Sequence, residues 1–477
     1  MTGIASIDLF ITVFNYLILI FAVLVMSSYI ILAIISSVSL KEYLRENRFV
    51  NYNALLSLES APRVSLIAPA YNEGKTIEEN VKSLLAINYN NFDVIVVNDG
   101  SKDDSIPVLI KAFDLVKSSR EYHPQISTKE VKNIYTSTNS AFSKLIVVDK
   151  MNGGKADALN VGMNVSKNPY LVCIDVDCIM DKDVLLKLAK PYLEQSDKRV
   201  IATGGVVRIA NSCVIRSGKL VEVKAPDNFL ARVQVIEYLR AFILGRMAWS
   251  KLDGLLIISG AFGMFDREIA MKSGGYDTNT VGEDMELIVR MRRYMIDHKQ
   301  PYAVQYIPDP LCWTEAPESY KILGKQRSRW MRGTIETLWT HRKMMFNPKY
   351  KTLGLLSYPY WLFFEYYAPL IEFTGLVITI ILAALGIISW TFFFLFILLV
   401  YSFAVLFSMI ALYSEEATFK RYETLADLRK LVAVAFLEPI IFHPFTVYAA
   451  LKGNWEKISG NKGWGDMTRT GFDKRPQ

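Results

Sequence analysis

The chain is poor in the residues that build zinc sites and disulfide frameworks: its 477 residues include only four cysteines and four histidines. Cys173, Cys178, Cys213 and Cys312 form no Cys-x-x-Cys pair and no even spacing, so they read as reduced core thiols. His123, His298, His341 and His443 are scattered, which excludes a histidine-rich zinc centre. A metal, if used, must be held by carboxylates, the ligand set of Mg2+ or Mn2+. There is no arginine-rich run and the net charge is only +7, so nucleic acid is not an expected partner. Lys and Arg are absent before Asp8, and no charged residue lies between Asp8 and Lys41. A cleaved signal peptide has a basic start and a short apolar core; Leu9 to Ile35 exceeds the ~20 residues that cross a bilayer and reads as an anchor.

What is present is strongly segregated. The chain is 51% apolar, yet it carries 54 Lys+Arg and 47 Asp+Glu, and its mean hydropathy is +0.21. Residues 1–40 are expected as an N-terminal transmembrane helix, and 41–350 as a charged α/β domain ending in interfacial helices. Residues 351–452 are expected as three or four further transmembrane helices, and 453–477 as a basic tail. Lys41, Arg45, Arg48 and Arg63 follow the first apolar run, which places the central domain in the cytoplasm. The expected protein is therefore a multi-pass integral protein of the plasma (inner) membrane, in contact with membrane lipid. Leu353 to Tyr413 carries only Glu365 and Glu372 and holds two or three helices. The charged segment 414–430 is expected as an interfacial helix, and Leu431 to Leu451 as another span. Lys452, Lys457, Lys462, Arg469, Lys474 and Arg475 favour a cytoplasmic C-terminus, which on this count needs four crossings after the central domain. Glu438 and His443 lie inside the last span and should face the bundle interior or a polar path.

The central domain alternates β-branched runs with helical periods. Val64–Ala68, Val94–Val97, Leu145–Val148, Leu171–Ile174 and Val200–Thr203 read as strands, with Glu78–Ala86 and Ala156–Val165 as helices between them. Such sheets bind ligands at the carboxyl ends of their strands. Two strands run into acidic residues there: Asp99 follows one, and Asp175 and Asp177 follow another. Two residues apart on an extended chain face the same side, so Asp175 and Asp177 can converge on one cation. Hard oxygen ligands suit a magnesium- or manganese-bound diphosphate. An Asx turn opening the next helix is the competing reading for any one of these aspartates.

Other motifs occur in a fixed order: Pro69-Ala70-Tyr71-Asn72-Glu73, Gly153-Gly154-Lys155 before Asp157, Ser259-Gly260-Ala261-Phe262-Gly263, Gly282-Glu283-Asp284, and Gln326-Arg327-Ser328-Arg329-Trp330. This series resembles the inverting, membrane-embedded family-2 glycosyltransferases, which include the cellulose, chitin, hyaluronan and poly-N-acetylglucosamine synthases. The resemblance implies an α/β GT-A (nucleotide-diphospho-sugar transferase) domain inserted between transmembrane α-helices. It implies that Asn72, Asp99, Lys155, Asp157, Asp175, Gln326 and Arg329 bind a UDP-sugar donor. Asp177 with Asp175 would hold Mg2+ or Mn2+. Asp284, beside Glu283, would be the general base that takes the acceptor hydroxyl proton. Gly260, Ala261, Phe262 and Trp330 would meet the acceptor. Gln326, Arg329 and Trp330 fall on one helical face, where a planar guanidinium suits diphosphate and an indole suits a sugar ring. In the family this motif marks processive enzymes. Val235-Ile236-Glu237-Tyr238 lies where the family has its finger helix, a core helix with a solvated Glu being the alternative.

The sequence departs from the family in having Gly282 where the family has Thr. It also has only about 26 residues after Leu451, too few for the cyclic-dinucleotide domain of cellulose synthases. The expected function is transfer of a sugar from a UDP-sugar to the non-reducing end of a growing polysaccharide, with inversion to a β-linkage and with export. The motifs name no secretion partner. A transferase adding one sugar to a membrane lipid shares the nucleotide site and base. A non-catalytic transporter or receptor would draw on Glu438 and His443 alone.

Overall fold

The computed structural model describes residues 2–460, apart from 53, 55–60, 120, 121, 123, 195, 196 and 217. Helix α1 (Thr2–Asn47) is uninterrupted. Leu9, Leu17, Leu24 and Ile31 project from it uncovered, an exposure suited to lipid rather than water.

Ten strands then form one mixed sheet in the order β3-β4-β5-β2-β1-β6-β11-β8-β12-β7. They are β1 Val64–Ala70, β2 Phe92–Asp99, β3 Leu115–Lys117, β4 Val131–Ser137, β5 Leu145–Lys150, β6 Tyr170–Ile174, β7 Ile179–Met180, β8 Arg199–Ile209, β11 Phe262–Asp266 and β12 Tyr302–Thr314. A separate hairpin pairs β9 (Val214–Arg216) with β10 (Lys219–Glu222). Strands β5, β2, β1 and β6 are mutually parallel. Both of their faces are covered, which is why their sequences are continuous apolar runs rather than alternations. All five strands expected from the sequence form, each longer than its apolar run. β11 and β12 did not announce themselves; β12 is interrupted by register shifts around Pro310.

Because the chain leaves β1 for β2 on one side and returns to β6 on the other, strand order reverses at β1. That is the point where open α/β sheets bind ligands. Asn72, Asp99 and Asp175 accordingly follow neighbouring strand ends. Helix α2 (Lys155–Val165) packs on β1 and β2. Helix α3 (Phe229–Leu239) packs on β8, and α4 (Glu283–Asp297) packs on α5 (Tyr320–Thr340).

Residues Leu353–Ala384, which end in helix α6 (Ala368–Ala384), and helix α7 (Trp390–Thr418) are two apolar runs long enough to cross a membrane. The stretch from Leu353 to Tyr413 thus holds two helices. Segment 414–430 is not a single interfacial helix. Its first part completes α7, and Thr424 then caps a new helix, α8 (Leu425–Ile441): Thr424 Oγ1 accepts from Asp427 N at 3.1 Å and donates to Asp427 Oδ2 at 2.6 Å. Nor is Leu431 to Leu451 one straight span. α8 meets α9 (His443–Ile458) at 51°, where Pro439 and Pro444 flank the break.

Glu438 is buried and bidentate to Arg240 at 2.9 and 3.0 Å, and Arg240 also donates to Ser408 Oγ at 2.7 Å. His443 pairs with Glu372 at 2.7 Å in a half-exposed position. Both ends of the bent pair touch the central domain. Lys430 pairs with Asp227 at 2.8 Å and Asp427 accepts from Ala225 N at 3.2 Å. At the far end Lys457 pairs with Glu336 at 2.9 Å and Glu456 accepts from Ser328 Oγ at 2.6 Å. Of the basic tail, residues 461–477 lie outside the described residues.

Candidate active site

Asp99 and Asp157 converge on a fully buried lysine. Lys150 Nζ lies 2.5 Å from Asp99 Oδ1 and 2.6 Å from Asp157 Oδ1. The shared ammonium offsets the desolvation of both carboxylates and the repulsion between them, and they in turn offset that of the buried cation. Asp99 also accepts from the backbone N–H groups of Gly153 at 2.9 Å and Gly154 at 2.8 Å, fixing the turn that starts α2. Asn72 follows β1 with a left-handed backbone, φ 57°, and its Oδ1 accepts from Lys102 N at 2.8 Å.

Asp175 leaves β6 tied to the acceptor segment: its N–H donates to Ala261 O at 2.9 Å. The Lys155 ammonium, at the first position of α2, lies 2.5 Å from Asp175 Oδ1 and 3.9 Å from Glu283 Oε1, and donates to Gly260 O at 2.9 Å. Burial pulls the Lys155 pKa down, but Asp175 and Glu283 together raise it above its ordinary value. Asp175, Asp177 and Cys178 bring ligand atoms within 4.8 Å of one another. The Cys178 thiol is held far above its ordinary pKa by its hydrogen bond with Cys312 and by burial, so it stays a neutral thiol. Asp175 and Asp177 offer two hard carboxylates, a set that fits Mg2+ or Mn2+.

Glu283 and Asp284 open α4, where the helix dipole favours negative charge. Burial pushes the Glu283 carboxyl up to about 7, with Lys155 opposing and Asp284 reinforcing. Asp284 Oδ1 accepts from Met285 N at 2.8 Å. Its other oxygen stands where a side chain on Gly260 would be: a Cβ there would lie 2.5 Å from Asp284 Oδ2. Glycine at 260 is what lets the Ser259–Gly263 segment touch the carboxylate. Gly282 has an equally specific reason. A Cβ on it would lie 2.7 Å from Gly333 Cα, so the family's threonine is replaced where α5 packs against the loop. Glu336 braces the same loop, accepting from Thr280 Oγ1 at 2.8 Å and Val281 N at 3.1 Å while paired with Lys457.

These groups face a cavity of about 510 Å³. Its wall includes Lys155, Asp175, Glu283 and Asp284, with Gly260 and Ala261 beside them. Gln326, Arg329 and Trp330 of α5 line it as well, and Phe242 and Trp361 continue it toward the helical end of the molecule. Arg327, behind the wall, pairs with Glu237 at 2.7 Å and stacks 4.2 Å from the Trp330 ring centroid. Glu237 and Tyr238 of α3 line the cavity too, so Glu237 is a paired wall residue and not a solvated one.

Asn72, Asp99, Asp157 and Asp177 are not in the wall, and Phe262 is buried in the sheet core beneath it. Lys150, Glu336 and Arg246 escaped the sequence reading. Nothing in the local pattern around each distinguishes it from a solvated surface charge.

A switch-point sheet whose strand β6 ends in Asp175, facing a carboxylate at a helix start across one cavity, is the arrangement of a sugar-nucleotide transferase domain of GT-A type. The family described as "Glycosyltransferase like family 2" matches residues 62–333, more than half of the chain, and the chain belongs to it. Among curated relatives, the poly-beta-1,6-N-acetyl-D-glucosamine synthase of Staphylococcus aureus (strain COL) is 27% identical over 300 residues, covering 62% of this chain and 60% of that protein. The synthase of the same name from Staphylococcus epidermidis is 26% identical over 293 residues, covering 60% and 59%. The chain thus spans about 60% of the length of the curated relatives it matches. A solved structure of the mannosyltransferase PcManGT from Pyrobaculum calidifontis, in complex with GDP-Man and Mn2+, has a TM-score of 0.50 at 18% identity. The match covers 92% of this chain and 99% of that one, and places the two in one fold.

Proposed function

We propose that the protein is an inverting, processive polysaccharide synthase. It transfers a sugar from a UDP-sugar to the non-reducing end of a growing β-linked glycan and exports the product across the plasma membrane. The observation that carries this is one continuous cavity joining Lys155 and Asp175, the Asp284 carboxylate and the Gln326–Trp330 face of α5. A single-displacement enzyme needs just these three components in contact: a donor clamp, one base and a held acceptor. The names of the Staphylococcus relatives make N-acetylglucosamine the first sugar to test.

In this reading Asp284 accepts the proton of the acceptor hydroxyl as its oxygen attacks the anomeric carbon. The bond from that carbon to the diphosphate oxygen breaks, and UDP departs. Lys155 and Arg329 supply positive charge where the leaving diphosphate develops negative charge. Asp175 and Asp177 would hold Mg2+ or Mn2+, which when bound neutralises the leaving group. Asn72, Asp99 and Asp157 act one layer back, Asp99 by fixing the Gly153-Gly154 turn and Asp157 by holding Lys150 and the Lys129 backbone. Trp330 and Trp361 offer flat surfaces for sugar rings. The Gly260-Ala261 backbone gives the acceptor close access to the base.

The topology that best fits is a cytoplasmic catalytic domain between α1 and two crossings, Leu353–Ala384 and α7. The bent pair α8–α9 is then a re-entrant hairpin, since both of its ends pair with the catalytic domain. Two crossings return the chain to the catalytic side, where the sequence count required four.

The test uses the full chain in detergent or nanodiscs with Mg2+ or Mn2+. It is offered radiolabelled UDP-N-acetylglucosamine, UDP-glucose, UDP-glucuronate and UDP-galactose, with UDP release and product size measured. UDP release with a high-molecular-weight product from one donor is expected. Product confined to monoglycosylated lipid would refute processivity, and no release with any donor would refute the enzyme assignment.

A further inference from the structure

One cation in the cavity wall has no part in the donor clamp. Arg246 ends a π-helical segment, Arg240–Arg246, that continues α3 before the helix resumes at Met247–Lys251. π-turns within α-helices re-aim side chains and are frequent at functional sites. Here the segment brings the Arg246 guanidinium 3.8 Å from the Phe242 ring centroid, and both residues line the cavity with Asp284 and Gly260. Stacking on an aromatic face holds the planar guanidinium in one orientation. Its charge acts on Asp284 and on the hydroxyl of Tyr306 from β12. The Tyr306 hydroxyl, buried on β12, is a hydrogen-bond neighbour of the guanidinium, in a geometry loose enough to leave Arg246 Nη1 without a well-formed bond. A guanidinium carries five N–H donors, so Arg246 in the cavity wall has donors beyond the one Tyr306 engages, and these suit an incoming oxygen. The lysine of the wall is committed: Lys155 pairs with Asp175 and donates to Gly260 O.

We infer that Arg246, steadied by Phe242 and Tyr306, binds an oxygen of the terminal acceptor sugar beside the hydroxyl that Asp284 deprotonates, and so sets acceptor position and choice. This rests on the glycosyl-transfer reading above. Arg246 donates hydrogen bonds and keeps its protons throughout. The acceptor proton goes to Asp284, one carbon–oxygen bond forms and the donor's carbon–oxygen bond breaks.

The experiment compares wild type, Arg246→Ala, Arg246→Lys and Tyr306→Phe, each as full chain in detergent with Mg2+ or Mn2+. UDP affinity is measured by calorimetry. Donor turnover is split into transfer to a five-residue N-acetylglucosamine oligomer and hydrolysis of UDP-N-acetylglucosamine to free sugar. Arg246→Ala should raise the acceptor KM or depress transfer on the order of 10- to 100-fold, as for loss of a charged hydrogen bond. It should leave UDP affinity within about twofold and shift turnover toward hydrolysis, because the acceptor and not the donor has lost its grip. Arg246→Lys should recover only part of the transfer, Tyr306→Phe should show a weaker shift of the same kind, and added methylguanidine should restore transfer to Arg246→Ala. Loss of UDP affinity in step with transfer, or equal loss of transfer and hydrolysis, would overturn the inference. Absence of both reactions in wild type would instead overturn the glycosyl-transfer reading itself.

Discussion

Replacing Gly260 by alanine is the sharpest probe of the proposed base. The new Cβ would lie 2.5 Å from Asp284 Oδ2, and ordinary contact begins at about 3.4 Å, so the carboxylate must retreat by about 0.9 Å. The group that yields is the end of a side chain and not backbone, so the fold should survive the change with little loss in melting temperature. The chemistry should not survive it unharmed. A misplacement of about 1 Å at a reacting group costs on the order of 10²-fold, or about 2.7 kcal/mol of transition-state stabilisation. UDP release is followed with a coupled enzyme assay under saturating donor, and UDP affinity by calorimetry in the same detergent. The expected result is turnover reduced about 100-fold with UDP affinity unchanged. Turnover within twofold of wild type would show that Asp284 is not positioned by the acceptor segment. A parallel loss of UDP affinity would move the defect to the donor clamp.

Further outcomes follow from the same geometry. Asp284→Asn should preserve UDP affinity and lower turnover by about 10²- to 10⁴-fold, read by the same two assays. Asp177→Asn should weaken metal-dependent UDP binding by about 10- to 100-fold, seen in calorimetry with and without Mn2+. Glu336→Ala should free the Thr280–Val281 loop and cut turnover by about tenfold at unchanged UDP affinity; a variant as fast as wild type would deny that this brace holds the base. Glu286 provides a pH dependence. Burial alone would raise its pKa, but hydrogen bonds from His341 and Arg290 lower it below the ordinary 4.5. Its contribution to stability is therefore complete above about 4.5 and disappears as pH falls through the depressed value. Melting curves between about pH 3 and 7 should show that acid limb flattened in Glu286→Gln.

The parts legible in the sequence are those whose physics is local. β1, β2, β5 and β6 were readable because strands buried on both faces must be continuously apolar. The aspartates after them stood out as charges at the ends of such runs. β12 was hidden because Pro308, Asp309 and Pro310 break its pattern, and only the bulged pairing with β8 rescues it. Lys150 looked like an ordinary strand-end lysine; its burial exists only because Asp99 and Asp157 arrive from two other elements. Gly282 registered as a departure from the family, but its reason, contact with Gly333, spans about fifty residues of sequence and one helix packing. The division of 414–430 was written in Thr424 and Asp427, a cap signature overlooked within a charged stretch. Arg246 is the most remote case, since its meaning comes from a π-turn that no residue pattern signals.

A hairpin that enters and leaves a membrane on the same side contributes nothing to the parity of the chain. With α1, Leu353–Ala384 and α7 as the crossings, parity is odd, and the first turn of α1 lies on the face opposite the end of α9. The pairing of Lys457 with Glu336 then acquires a mechanical sense. The last helix is anchored on the same glutamate that steadies the loop leading to Asp284, the proposed base. In the topology proposed above, a change in bilayer thickness that shifted the hairpin would reach the Thr280–Val281 loop through this one ion pair.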